Sequence, residues 1–271
     1  QQAYEICQGH YACQLKVERE DEIGKLTEAF NDMSLSLAEQ EERKKEFTTN
    51  VVHELRTPLT YVRGYVDALK NKIYTSPEEA EHYLSTIEKE TERISKLIND
   101  LEDLNHLQDN LYSIDLQPIV LSQVLYDTIQ LFTIIKNEKN LTFSTNINDE
   151  LIILGDANRI NQVFYNIIDN ACKYAIEGST ITIKLMSINN KAQFSINNIG
   201  TTIKKEDLKR IGERFFRTDK ARTRTTGGTG LGLSIVKEII RLHNGSFKIV
   251  SNENDGTTVM IELPLLEESE E

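Results

Sequence analysis

With 271 residues and 39% hydrophobic content, the chain is long enough for more than one domain and apolar enough to bury real cores. A formal net charge of −12 argues against a general nucleic-acid binder and against a surface drawn to anionic lipid. Three cysteines (Cys7, Cys13, Cys172) without a repeated Cys-x-x-Cys spacing argue against a disulfide framework or a zinc site, and reduced thiols are expected, with Cys172 packed in an apolar helix.

No stretch approaches the ~18 apolar residues of a membrane span, and no signal peptide is visible. The chain starts without a methionine and in mid-pattern, as a piece cut from a longer protein would, so nothing follows about membrane spans in the parent. No internal repeats appear.

The first apolar seam is Leu26, Phe30, Met33 and Leu37. It does not share phase with the next one, and the stretch between, Ala38 to Glu46, is polar and charged. An insertion of this kind is a stutter, which locally unwinds a coiled coil. It reads either as a flexible joint or as a place where upstream input changes helix rotation. The second seam is Val52, Leu55, Leu59, Val62, Val66, Leu69 and Ile73, at alternating spacings of three and four. Residues 74 to 78 break it. Ser76 suits a helix cap, Pro77 the first helical position, and Glu79 the return arm of a capping box. A third seam follows: Leu84, Ile87, Ile94, Ile98 and Leu101. Two helices with a short connection make a hairpin, which buries little alone, so two copies are expected to pair as a four-helix bundle.

His53 falls off the apolar stripe, on an outward face with Asn50, Thr57 and Gly64. An exposed imidazole is a nucleophile near neutral pH. Glu54 can accept the proton of Nδ1 and so leave Nε2 free to attack phosphorus. Thr57, one turn on, can orient a water. Pro58 removes a helical bond and is expected to bend the helix beyond the site. A lone exposed histidine is usually only solvated, and His-Glu-x-x-His zinc chemistry is discounted because position 57 is Thr. His10, His82, His106 and His243 have no comparable setting.

From about Val120 the pattern changes. A helix over 121–135 leads into β-rich runs at 141–145, 151–154, 180–186, 192–197, 246–250 and 257–263, with apolar helices at 157–175 and 231–243. Turn-like links such as Asn189-Asn190 support an α+β layer fold, and Gln117-Pro118 marks a domain boundary. In the helix at 157–175, Asn166, Asn170 and Lys173 share one face. An amide oxygen suits Mg²⁺, and an ammonium can hold phosphate oxygens. Residues 204 to 224 carry nine Lys/Arg and four acids. That basic run leads into Gly227, Gly228, Gly230 and Gly232, which permit close approach of backbone to phosphates at a helix N-terminus. Together they read as a phosphate-closing lid. The glycines form neither a Walker loop nor a dinucleotide fingerprint. The tail Glu267 to Glu271 is acidic and expected to be disordered.

The string His53-Glu54-Leu55-Arg56-Thr57-Pro58, within Phe47 to Tyr65, resembles the phosphoacceptor box of sensor histidine kinases. Three more segments resemble that family's ATP-binding domain, in the family's order. They are Asn161 to Tyr174, a degraded Asn197 to Ile203, and Thr226 to Lys237, with Glu213 to Arg217 resembling its phenylalanine box. Asp21-Glu22-Ile23-Gly24, with Leu26, Phe30, Asn31 and Met33, resembles the second half of a HAMP signalling module.

The resemblance implies a fold, a domain plan and a site. The fold is a helical hairpin forming a dimeric four-helix bundle, then an α+β sandwich ATP-binding domain of the Bergerat (GHKL) type. The plan is a partial HAMP and coiled coil over 1–40, a dimerisation and phosphotransfer domain over 41–113, a catalytic domain over 118–265 and the tail. Catalytic roles fall on His53, Glu54 and Thr57. Nucleotide would be held by Asn166, Asn170, Lys173, Tyr174, Asn198, Gly200, Phe216, Arg217, Gly228, Thr229, Gly230, Leu231 and Gly232, with Mg²⁺ on Asn170. The implied activity is autophosphorylation of His53 from Mg-ATP and transfer to an aspartate of a response regulator receiver domain, with phosphatase activity toward that regulator. The implied location is the cytoplasmic portion of a cell-membrane protein.

Two departures matter. Asn198 stands where the family has the aspartate that accepts from the adenine amino group, and Thr202 where it has a glycine. They keep open an alternative: a phosphatase-only protein or a pseudokinase scaffold with weakened nucleotide binding. ATPases of the same fold that hydrolyse ATP carry a glutamate, as base for water, four residues before the magnesium asparagine. Here that position is Asn166, an amide, so transfer rather than hydrolysis is expected.

Overall fold

A computed structural model describes residues 15–16, 21–108, 114–218 and 228–266. The chain divides after Glu90 into two compact units.

The first unit is built on α1 (Glu22–Lys70), whose first N–H groups are capped by Asp21 (Ile23 and Gly24, 3.2 and 3.1 Å). The helix runs unbroken through both the expected stutter and Pro58. It ends in a Schellman motif: Ile73 N–H donates to the Ala68 carbonyl at 2.8 Å, Lys72 N–H to Leu69 at 3.1 Å, and Lys72 sits at φ 54°. Next comes α2 (Pro77–Gln108). Glu79 N–H donates to the Ser76 hydroxyl at 3.3 Å, while the Glu79 carboxylate reaches past Ser76 to Thr75 N–H at 2.6 Å. Tyr65 and Tyr83, with ring centres 5.0 Å apart and planes tilted by 39°, tie the two helices as the expected hairpin. The seam residues Val52, Leu59, Val66, Ile73 and Leu84 remain exposed on the single chain.

The second unit contains the distal half of α2 and an α/β sandwich. Gln117 and Pro118, at the expected boundary, open strand β1 (Gln117–Val120), which pairs antiparallel with β3 (Ile152–Gly155). The expected single helix over 121–135 is two, α3 (Leu121–Leu131) and α4 (Thr133–Glu138), with Phe132 buried at their junction. The main sheet has the order β2-β4-β5-β7-β6. Its strands are β2 (Thr142–Ile147), β4 (Thr180–Ile188), β5 (Lys191–Asn198), β6 (Ser246–Asn252) and β7 (Gly256–Pro264); β2 and β4 run parallel and the other pairs antiparallel. The turn joining β4 to β5 uses Asn189 and Asn190 at φ 52° and 59°, the left-handed geometry a two-residue hairpin demands.

Alternation places Ile181, Ile183 and Leu185 of β4, Phe194 and Ile196 of β5, and Ile261 and Leu263 of β7 in the core. The opposing helices are α5 (Ala157–Tyr174), which contributes Ile160, Val163, Phe164, Ile167 and Ile168, and α7 (Gly232–Leu242), which contributes Ile235, Val236, Ile239 and Ile240. A six-residue helix, α6 (Lys205–Arg210), precedes α7. Cys172 is buried in this core, and burial pushes its thiol up to about 11, so it stays protonated and inert. Cys7, Cys13, His10, residues 219–227 of the expected lid with Gly227, and the acidic tail lie outside the described residues. Among the described residues no helix is long and apolar enough to cross a membrane.

Candidate functional site

His53 is exposed on α1. The Thr57 hydroxyl, one turn on, donates back to the His53 carbonyl at 3.3 Å, which holds Thr57 on the same exposed face as the imidazole. Glu54 is half-buried and Pro58 buried, so the helix presents the histidine from its solvent side.

The second unit holds a cavity of about 670 Å³, within the size range of small-molecule sites. Its first wall is α5, whose Asn166, Asn170, Lys173 and Tyr174 face it together. That helix is fixed at both ends. Asp156 caps its start by accepting from Asn158 and Arg159 N–H at 3.0 and 3.2 Å. The Lys139 ammonium caps its end by donating to the carbonyls of Cys172 and Lys173 at 2.9 and 3.1 Å. Asp156 is itself placed by buried His243. Asp156 N–H donates to Nε2 at 3.0 Å, so the ring proton lies on Nδ1, which donates to the Ile239 carbonyl at 2.8 Å. His243 is thus a satisfied core histidine, and burial holds its pKa below the usual value.

The opposite wall is the glycine turn. Gly230 has φ 77°, and a side chain there would meet the Phe215 backbone at 2.9 Å. Phe215, itself at φ 61°, donates its N–H to the Gly230 carbonyl at 3.1 Å, which locks the phenylalanine segment to the turn. Gly228, Thr229, Gly230 and Gly232 line the cavity, as do Phe216 and Arg217. The Arg210 guanidinium stacks on the Phe216 ring at 4.4 Å. At Gly232 a Cβ would lie 3.5 Å from the Asn166 amide oxygen, so the start of α7 is set against that side chain.

Asn198, buried at the end of β5, and Thr202 line the cavity from the sheet side. Thr202 is not among the residues with positive φ, so this backbone does not require glycine there. Gly200 and Leu231 stand behind the lining. Gly200 pairs with Ala175, and a Cβ on it would collide with the Tyr174 carbonyl; Leu231 is fully buried. Asp169, next to Asn170, is held by the Lys173 ammonium at 2.6 Å and the Lys96 ammonium at 3.8 Å.

Sequence reasoning missed Lys96 and Asp100, which α2 contributes to the cavity. A signal was present: Leu97, Asp100, Leu104 and Leu107 form a second stripe on α2 at spacings of three and four, all buried. Asp103 beside it receives Arg159 at 2.8 Å and Gln162 at 2.6 Å.

Residues 43–110 match the His Kinase A (phospho-acceptor) domain, and residues 155–267 the histidine kinase-, DNA gyrase B- and HSP90-like ATPase family. The chain is 35% identical to the sensor histidine kinase WalK of Bacillus subtilis (strain 168) over 95% of its own length and 45% of that protein's. It is 38% identical to the sensor protein kinase WalK of Staphylococcus aureus over 83% of its own length and 54% of that protein's. The chain therefore spans about half the length of these curated relatives. Among solved structures, the histidine kinase ThkA in complex with the response regulator protein TrrA aligns with a TM-score of 0.68 at 25% identity, covering 85% of this chain and 66% of that one. The Acinetobacter baumannii histidine kinase AdeS shares the fold, with a TM-score of 0.66 at 22% identity over 79% of this chain and 98% of that one. With a phosphoacceptor helix bearing an exposed histidine, followed by an ATPase-type sandwich whose helix and glycine turn close on one cavity, the chain belongs to the sensor histidine kinases of two-component systems.

Proposed function

We propose that this chain is a homodimeric autokinase core that transfers the γ-phosphoryl group of Mg-ATP to Nε2 of His53 and then to an aspartate of a response regulator. The observation that carries this reading is the cavity of the second unit, where Asn166 and Asn170, two amides, face the glycine turn. An amide cannot take a proton from water, and the nearby Asp169 carboxylate is engaged by two lysines. A bound triphosphate would therefore await a better nucleophile, which His53 supplies. The cavity's walls, including Ile167, Ile196 and Val259, suit a base, and the lysine, the arginine and the start of α7 suit phosphates.

Magnesium fits as a partner of the nucleotide. Mg²⁺ commonly takes one or two protein oxygens and completes its shell with phosphates and water. Asn170 offers such an oxygen, whereas no group of three or more His, Cys, Asp or Glu side chains among the described residues could hold a metal alone. Lys173 and Arg217 would neutralise phosphate charge. Glu54 would hold the Nδ1 proton, and Thr57 would orient water when phosphate is removed from the regulator. The solved complex of the similar ThkA with a response regulator supports that class of partner.

Asn198 favours the second reading, a phosphatase or scaffold that uses nucleotide poorly. Incubation with γ-labelled ATP and Mg²⁺ separates the two. Acid-labile label that His53→Gln abolishes is the expected result; ATP binding without label would leave regulation alone. Thr57→Ala is expected to lower phosphatase activity more than autophosphorylation, and equal losses would remove the role given to Thr57.

A further inference from the structure

The distal half of α2 touches the glycine turn through one carboxylate. Asp100 is the polar member of the buried stripe Leu97, Asp100, Leu104, Leu107. It accepts the Thr229 hydroxyl proton at 2.7 Å, and the two residues are 9% and 5% exposed. The same hydroxyl accepts from Leu231 N–H at 3.3 Å, immediately before α7. A chain of hydrogen bonds thus runs from Asp100 to the helix start that suits an anion. Asp103 anchors the contact from outside the cavity through Arg159 and Gln162.

A charge in this position is costly. Burial raises the Asp100 pKa and Asp103 adds to the rise, against lowering by the Thr229 bond, Lys96 and Lys173. An apolar residue would pack in the stripe with less penalty, so core stability does not account for an acid here. Asp100 and Lys96 line the same cavity as Asn170 and the glycine turn.

We propose that Asp100 is an acidic gate on the nucleotide site: its carboxylate engages Thr229 and sets a negative field at the start of α7, so that α2 and a polyphosphate compete for the glycine turn. The proposal rests on the nucleotide reading of this cavity. Its distinctive consequence is that neutralising Asp100 matters more as the ligand carries more phosphate charge. By linkage, nucleotide must loosen α2 to the extent that α2 weakens nucleotide.

Asp100→Asn removes the charge and keeps an oxygen that can accept from Thr229. Calorimetric titration of the full chain in Mg²⁺ with AMPPNP, ADP and adenosine tests the gate. The variant is expected to bind AMPPNP roughly five- to tenfold tighter than wild type, ADP by a smaller factor and adenosine equally. Equal AMPPNP affinity in both proteins, or the same gain for adenosine, would overturn the gate while leaving the nucleotide reading intact. Failure of wild type to bind any of the three would overturn both. Amide exchange of residues 97–107 in wild type gives a readout that does not depend on how the variant folds. Faster exchange with AMPPNP than without is expected, and unchanged or slower exchange rejects the competition.

Discussion

At the scale of single residues, the sandwich shows which family departures its geometry accommodates. Thr202 replaces a glycine without penalty because its backbone stays out of the left-handed region. Asn198 is different in kind: on the proposed reading it would meet the adenine from the cavity wall, without the charge of an aspartate. An amide can accept from an amino group or, rotated, donate to a carbonyl, so it discriminates adenine from guanine less than a carboxylate does. Asn198→Asp is expected to tighten ATP binding by roughly three- to tenfold and to widen its preference over GTP. Competition between the two nucleotides measures it, and an unchanged ratio would show that residue 198 does not meet the base. The sequence pointed to Asn198 through Gly200, which stands two residues on. The stripe that holds Asp100 was legible too, but its bond to Thr229 was not, since the two lie 129 positions apart and only the fold joins them.

At the scale of elements, caps and clamps decide where helices stop. The Schellman turn after α1 places Lys72 in a conformation that glycine adopts more readily. Lys72→Gly is expected to stabilise the hairpin unit by about 0.5–1 kcal/mol, read as a rise in its unfolding midpoint in urea. At the start of α2, bonds from Thr75 and Tyr83 hold the Glu79 carboxyl at about 2, so that cap persists in acid until the pH nears that value. His243 has the opposite sense. The native state keeps it neutral below its ordinary value of 6.5, and the unfolded chain takes up the proton first. Stability of the sandwich is therefore expected to fall as pH drops through about 6.5, with the loss ending once the folded-state pKa is passed. Thermal unfolding of wild type and His243→Gln between about pH 7.5 and 5 checks this; an equal slope in both would assign the effect elsewhere. Residue 243 looked bland in sequence, and its role as a brace between α7 and the cap of α5 comes wholly from tertiary placement.

At the scale of the molecule, the exposed seam on the hairpin is the feature that one chain leaves unexplained. Val52, Leu59, Val66 and Leu84 are each more than two-fifths exposed, at the spacing of a helical bundle. A second copy would cover them. Leu59→Glu is expected to convert the proposed dimer to a monomer in light scattering while leaving nucleotide affinity within about twofold, because the cavity residues all lie after Glu90. A monomeric wild type would instead leave the stripe to another partner. The distal half of α2 belongs to the same compact unit as the sandwich and meets it through Asp100 and Asp103.

The sequence by itself determined the elements whose signal is local. These are the heptad seams, the Ser76-Pro77 start, the Asn189-Asn190 turn, the alternating strands and the ordered motifs around His53, Asn170 and Gly230. Each depends on neighbours within a turn or a hairpin. Tertiary structure decided the pairing of Gln117 and Pro118 with β3, the bracing of α5 by His243 and Lys139, and the meeting of Asp100 with Thr229. Those contacts join segments tens of residues apart, so no periodicity records them, and burial alone makes such polar groups find one another.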